Sequence, residues 1–171
     1  MSRHARFDCR GVDGRASARK PRTPFRVVHI LLLYALVLGA GVIGLRLGFI
    51  PHVFFPDYAA QSIGWPTGSP FQFEVGVHDG AWDVLGFLCI WIGGLFWLAT
   101  GLGWSLFMLG ATYGHIRETV LEGDYAPYNF LTLFSDGFIG VWLLLLLYLY
   151  WASFILLLGA EVNHAIEANG A

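Results

Sequence analysis

Charged residues are scarce in this sequence: Asp, Glu, Lys and Arg make up 13% of its 171 residues, whereas 56% are hydrophobic. Soluble domains have roughly 25% charged residues. This shortage excludes an ordinary water-soluble domain for most of the chain. The length leaves room for about four helices of roughly 20 apolar residues, which is the length needed to cross a bilayer.

Motifs of catalysis, metal binding and disulfide formation are also missing. The sequence has no Walker motif, no H-E-x-x-H, no G-x-S-x-G and no His-x3-His pair, and it has two cysteines, Cys9 and Cys89. Without such residue sets there is no positive support for an enzyme. We therefore predict no catalytic residue, no cofactor and no metal site.

The basic residues are concentrated at the N-terminus. Residues 1–26 contain eight of the ten Lys and Arg residues, against only Asp8 and Asp13, which gives this segment a net charge of +6. A tail of this composition is predicted to be disordered and to stay in the cytoplasm by the positive-inside rule. It has almost no aromatic residues between its charges, which argues against nucleic acid as a partner and favours the lipid bilayer.

The remaining apolar runs predict an all-α fold, an antiparallel bundle of four transmembrane helices within residues 27–161. The spans are expected at about 27–48, 71–92, 95–116 and 136–160, with Gly93-Gly94 as a tight hairpin turn between the second and third. Four prolines in residues 50–70 predict an extracytoplasmic loop with a short interfacial helix at Asp57–Ile63. Residues 117–135 are expected to form a second such loop, and an even number of spans returns residues 162–171 to the cytoplasm. The expected location is the bacterial inner membrane.

Parts of the sequence resemble a known family. Ser62 to Val77 reads SIGWPTGSPFQFEVGV, and it is followed by FWLATGLGWSLFMLGATYGHI and APYN. These stretches resemble a bacterial family of small four-helix membrane proteins of unknown function, which implies a membrane protein and no chemistry. The last helix, with LLLGAEVN, weakly resembles the end of the YihY/BrkB family. The residues matching the family signature are Ser62, Gly64, Trp65, Pro66, Gly68, Ser69, Pro70, Phe71, Gln72 and Asn129.

Ionisable residues at membrane depth are the candidates for function, because a charge in hydrocarbon costs a few kcal/mol. They are Glu74, His78, Asp79, Asp83 and His115. Three interpretations stay open: a late start of the second span near Gly80, which leaves Glu74 to Asp79 solvated at the interface; a Glu–His hydrogen bond that holds the hairpin together; or a polar pocket that relays protons or binds an ion.

Two functions follow from these patterns. The first is a noncatalytic protein that associates with itself or with a membrane partner through glycine-bearing helix faces. Those faces contain Gly39, Gly41, Gly44, Gly101, Gly103, Gly110 and Gly114. The alternative is a small proton-coupled transporter or an ion-binding or metal-binding membrane factor, with its site at the outer end of the second and third helices.

Overall fold

The computed structural model describes residues 24–170, and the described part consists of helices and short connections without strands. The basic tail and the proposal that it is disordered lie outside the described residues, apart from its last three positions. There are five helices in residues 24–170. They are α1 (Pro24–Phe54), α2 (Pro56–Ile63), α3 (Phe71–Leu88), α4 (Leu95–Glu122) and α5 (Pro127–Gly170).

Three of these helices, α1, α4 and α5, are long and apolar enough to cross a membrane. Helix α3 has 18 residues and contains Glu74, Asp79 and Asp83, so it is more polar than the other three. The apolar helices agree with the expectation of a membrane protein. The expected turn at Gly93-Gly94 is longer in the structure, because α3 already ends at Leu88 and residues 89–94 connect it to α4. The connection between α4 and α5 is shorter than expected: α4 continues past Arg117, and α5 begins at Pro127. The predicted loop at residues 117–135 therefore shrinks to residues 123–126.

The helix ends follow residues that suit a change of direction. Phe55 leaves the helical conformation just before Pro56, where a new helix begins. Gly64, Gly94 and Gly123 have φ angles of 94°, 64° and 67°, in the left-handed region that favours glycine. The short helix predicted at Asp57–Ile63 corresponds to α2.

Helices α1 and α3 pack backbone against backbone at a row of glycines. A Cβ atom added to Gly86 would lie 2.6 Å from the backbone nitrogen of Gly41 and 2.9 Å from the carbonyl oxygen of Leu36. Further towards the C-terminal end of α1, Gly44 contacts the Asp83 carboxylate and Gly48 contacts that of Asp79. Small residues let two helices approach this closely.

Helix α1 is wound as a π-helix at Ala35–Ile43 and Leu45–Phe49, along the stretch that faces these acids. Short π-helical segments inside α-helices occur frequently at functional sites. The row of glycines thus coincides with the irregular part of α1.

Helices α4 and α5 form a second extensive contact, of about the same size as that between α1 and α3. Gly101 packs against Leu147, and Gly140 packs against Leu109. The apolar core lies at this contact and includes Trp97, Trp104, Met108, Leu143, Leu146 and Leu147. By contrast, α3 meets α4 mainly through aromatic side chains, with 4.5 Å between the ring centroids of His78 and Phe107.

The close approach at Gly86 generates a prediction about stability. We expect Gly86→Ala to lower the free energy of unfolding by about 1–3 kcal/mol, because overpacking forces the two backbones apart. The midpoint of thermal unfolding in detergent measures the effect. Gly110→Ala is the matched control, since no described atom lies within 4 Å of its Cβ position. Equal midpoints for both variants would contradict the close packing of α1 on α3.

Candidate functional site

A cavity of about 550 Å³ lies between the C-terminal halves of α1 and α4 and the N-terminal halves of α3 and α5. All five helices contribute to its wall, and Trp65 from the connection after α2 joins them. Most of the wall is apolar and aromatic. The aromatic members are Trp65, Phe71, Trp104, Phe107 and Tyr128; the ionisable ones are His52, Asp79, His115, Glu118 and Asp136.

His115 and Asp136 form one polar side of this cavity. The Nε2 atom of His115 on α4 lies 3.7 Å from Oδ2 of Asp136 on α5, and both side chains are largely buried. Ser135 places its hydroxyl oxygen 3.2 Å from the other carboxylate oxygen, Oδ1. An imidazolium and a carboxylate at this separation form an ion pair, so this side can hold one proton between two groups.

Asn129, at the start of α5, hydrogen-bonds to the other nitrogen of the His115 ring. Its Oδ1 atom lies 2.7 Å from Nδ1 of His115, and the Asn129 side chain is fully buried. Its Nδ2 group donates to the hydroxyl of Thr119 at 3.0 Å and to the backbone carbonyl of Asp124 at 2.8 Å. The Asn129 amide therefore ties both sides of the α4–α5 connection to His115.

Asp79 lies on the α3 side of the cavity. It is 6% exposed, and its Oδ1 atom has no hydrogen-bond partner among the described residues. The nearest cationic candidate is Nδ1 of His78, at 3.8 Å. A buried carboxylate with an unsatisfied oxygen is costly, so this position favours a proton or a bound cation.

Asp83 is buried one turn further along α3, outside the cavity wall. It is 2% exposed, it contacts Gly44, and neither carboxylate oxygen has a hydrogen-bond partner within residues 24–170. The structure therefore separates the two acids of α3 that the sequence grouped together: Asp79 reaches the cavity and Asp83 packs against α1.

Glu74 and His78 are exposed on the surface of α3 and do not line the cavity. Trp82 donates its indole N–H to Nε2 of His78 at 3.1 Å, within the same helix. The Glu–His hydrogen bond expected between the second and third helices is replaced by the bond from His115 to Asn129. Of the five candidate residues, the cavity thus brings together Asp79 and His115.

The candidate residues chosen from the sequence do not include Asp136, Thr119 or His52. Asp136 was read as the start of a span, although an acid directly before a long apolar run could have indicated a functional residue. His52 is buried on α1 and hydrogen-bonds through Nδ1 to the side-chain oxygen of Gln72, at the start of α3. This contact gives the signature residue Gln72 a structural role.

The signature residues surround the outer end of the cavity. Trp65 and Phe71 line it, with their ring centroids 6.2 Å apart. A Cβ atom on Gly64 would lie 2.7 Å from the carboxyl carbon of Asp124, so the connection after α2 packs directly on the α4–α5 connection. The exposed members are Gly64, Pro66, Gly68, Ser69, Pro70 and Phe71, while Ser62 and Trp65 are half-buried.

Comparison with known proteins gives one match. The model of a family of unknown function, DUF6790, matches residues 13–167. The chain belongs to the DUF6790 family. No curated protein and no solved structure matches it.

Membership in DUF6790 confirms the resemblance to a family of unknown function and assigns no activity. The individual signature letters and the likeness of the last helix to the YihY/BrkB family stay predictions. Function must therefore be argued from the cavity of this DUF6790 member.

The buried amide of Asn129 generates a second prediction. Asn129→Ala should lower the free energy of unfolding by about 1–3 kcal/mol, because it leaves buried polar groups of His115, Thr119 and Asp124 without their partner. Thermal unfolding in detergent measures this loss. Asn169→Ala removes one exposed hydrogen bond, to the carbonyl oxygen of Ala165, and serves as the control. A loss no larger than that of the control would show that the Asn129 network is unimportant for the fold.

Proposed function

We propose that this DUF6790 protein is a small transporter that binds an amphiphilic organic cation in the cavity between α1, α3, α4 and α5. The observation that carries the proposal is the buried Asp79 carboxylate in the cavity wall, with an oxygen that lacks a hydrogen-bond partner among the described residues. This proposal develops the second of the two functions that the sequence left open.

The charges of the wall favour a cation. Three carboxylates and two histidines line the cavity, and no Lys or Arg among residues 24–170 belongs to its wall. One of the acids, Glu118, is already paired: its Oε1 atom lies 3.0 Å from Nη1 of Arg117. Asp136 has the largely buried His115 at 3.7 Å, whereas the partner of Asp79 is the exposed His78 at 3.8 Å, which does not line the cavity. A cationic ligand would supply a counter-ion to Asp79 from within the cavity.

The rest of the wall favours an apolar body around that charge. Ligand cavities of about 300–1,000 Å³ with mainly apolar walls and a few polar groups are typical of small-molecule sites. Trp104 and Phe107 on α4 lie in the wall with Trp65 and Tyr128. Aromatic faces attract organic cations by cation–π interaction.

The irregular segment of α1 supports an exchange of ligand at this place. Gly39, Ile43, Gly44, Leu47 and Gly48 belong to or adjoin the two π-helical stretches, and all five line the cavity. Irregular backbone at membrane depth is tolerated where it borders a cavity. This wall is the part of the bundle best suited to change shape when a ligand enters.

We place α1, α3, α4 and α5 as four antiparallel transmembrane helices. The α1–α3 contacts support this, since Gly41 lies by Phe87, Gly44 by Asp83 and Gly48 by Asp79, so one chain number rises as the other falls. We propose a bacterial inner membrane as the location, with the N-terminus in the cytoplasm, and the +6 charge of residues 1–26 supports this orientation. In this orientation the cavity opens near the outer surface.

Association with a second copy or a membrane partner stays a prediction. Four of the seven glycines on which this prediction rests already contact side chains of the same chain: Gly41 contacts Phe87, Gly44 contacts Asp83, Gly101 contacts Leu147 and Gly103 contacts Trp82. Gly39 and Gly114 line the cavity. Since the glycine faces serve internal packing and the cavity, ligand binding has the stronger support.

The cation site is tested with tetraphenylphosphonium, a rigid aromatic cation, and the full chain in nanodiscs. We expect saturable binding by calorimetry, and Asp79→Asn should weaken it about tenfold or more, which corresponds to at least ~1.4 kcal/mol. The physical reason is that the variant lacks the negative charge of Asp79, which attracts the cation. Tetraphenylborate has the same shape and the opposite charge, and it should not bind saturably.

Asp57→Asn is the matched control, because Asp57 is exposed on α2 and does not line the cavity. It should bind tetraphenylphosphonium as the unchanged protein does. Equal binding of the cation and the anion, or no effect of Asp79→Asn, would refute the proposal.

The orientation is tested with the natural cysteines. A membrane-impermeant maleimide should label Cys9 in inverted inner-membrane vesicles and leave it unlabelled in intact spheroplasts. Cys89 is 1% exposed and should stay unlabelled in both. In a Cys9→Ser background, Thr67→Cys in the exposed connection before α3 should show the reverse pattern. Labelling of Cys9 from outside would overturn the orientation.

A further inference from the structure

The hydrogen bonds of Asn129 decide which nitrogen of His115 can exchange a proton. Asn129 uses its Nδ2 group to donate to the carbonyl oxygen of Asp124, which can only accept. The Asn129 amide can therefore have only one orientation, with the acceptor oxygen Oδ1 towards Nδ1 of His115. Because that oxygen cannot donate, Nδ1 must carry a hydrogen in both the neutral and the charged ring.

The exchangeable position of His115 is consequently Nε2. This atom lies 3.7 Å from Oδ2 of Asp136, at the cavity wall. Histidine is the side chain that ordinarily changes charge between pH 5 and 8. With Nδ1 fixed as a donor, the whole change of charge takes place at the atom that faces Asp136.

We propose that His115 and Asp136 form a one-proton site which releases its proton when a cation occupies the cavity, with Asn129 as the positioning residue. This inference rests on the proposed cation-binding function. It makes the protein an exchanger, in which a cation and a proton compete for the negative charge of Asp136.

The exchange is balanced in charge and atoms. In the empty cavity the imidazolium of His115 is the counter-ion of Asp136. An entering cation lies near both groups, and a second positive charge disfavours the imidazolium. The Nε2–H bond breaks, its proton passes to water, and the cation, which lies between Asp79 and Asp136 in the cavity, replaces the imidazolium as the counter-ion of Asp136, so one positive charge leaves for each that enters.

Other charged groups also lie around His115. On its own helix, Glu118 lines the cavity and pairs with Arg117. Asp79 on α3 and His52 on α1 face the same cavity, while α2 contributes only Ile63 to it. The Asp124 side chain accepts from the backbone nitrogen of Ala126 at 2.8 Å, so it is already engaged. The nearest acid to Nε2 is Asp136.

The experiment measures proton release on binding of tetraphenylphosphonium to the full chain in nanodiscs. Calorimetry is run near pH 6 in phosphate and in Bis-Tris, which both buffer at this pH and whose heats of ionisation differ. We expect release of about one proton per bound cation, and loss of that release in Asp136→Asn and His115→Gln. His164→Gln is the control, since His164 is exposed near the end of α5 and should leave the release unchanged.

A second readout follows the tautomer directly. In ¹⁵N-histidine spectra above neutral pH, the signal that disappears in His115→Gln should show a ring protonated at Nδ1. Asn129→Ala should remove this preference. If that variant does not fold, the calorimetry of His115→Gln, which keeps Asn129, still tests the exchange.

The outcomes separate the two proposals. Binding without buffer-dependent heat overturns proton exchange and leaves the cation site standing, and a neutral His115 ring protonated at Nε2 overturns the role of Asn129. No binding of tetraphenylphosphonium overturns the proposed function, and the exchange with it.

Discussion

The close contact between α1 and α3 determines how the other helices can be arranged. Because Gly86 lets the two backbones meet, α3 lies against α1 and touches α4 mainly through aromatic side chains. Helices α4 and α5 form a second tight pair, and Leu32, Leu36 and Ala40 of α1 join the core at their contact. The cavity lies between the two pairs at the opposite end of α1, where Gly44 and Gly48 face the acids of α3.

This arrangement also explains why acids are tolerated on α3. Glycines on α1 leave room for the carboxylates of Asp79 and Asp83, whereas larger residues at Gly44 and Gly48 would clash with them. Burying such acids costs free energy, so their presence on α3 indicates a functional site. Across the cavity, the Asn129 network keeps His115 at a defined place, and the wall combines these ionisable groups with aromatic side chains.

The sequence predicted the long helices well, because each contains an apolar run long enough to cross a bilayer, and the prolines located α2. It predicted the α4–α5 connection poorly. Polar residues such as Glu118 and Tyr128 look alike in a helix end and in a loop, and the Asn129 hydrogen bonds that close the connection are not visible in a pattern. If the hairpin turned at Gly93-Gly94, equal lengths along the two helices would put His115 opposite about residue 72, within one helical turn of Glu74. The rotation of α4 about its axis, which directs His115 towards α5, depends on packing that spacing alone does not encode.

Helix α5 is longer than its neighbours require. Tyr150 stacks on Phe25, next to the start of α1, with 5.6 Å between ring centroids. Yet the apolar residues of α5 continue to Ala160, about 15 Å further along the axis. Exposed side chains from Phe154 to Leu158 cover this stretch on all sides. In a bilayer, an apolar stretch that extends past its neighbours is accommodated by a tilt of the helix or by local thickening of the hydrocarbon layer. The angle at which α5 crosses a bilayer would then depend on the thickness of that bilayer.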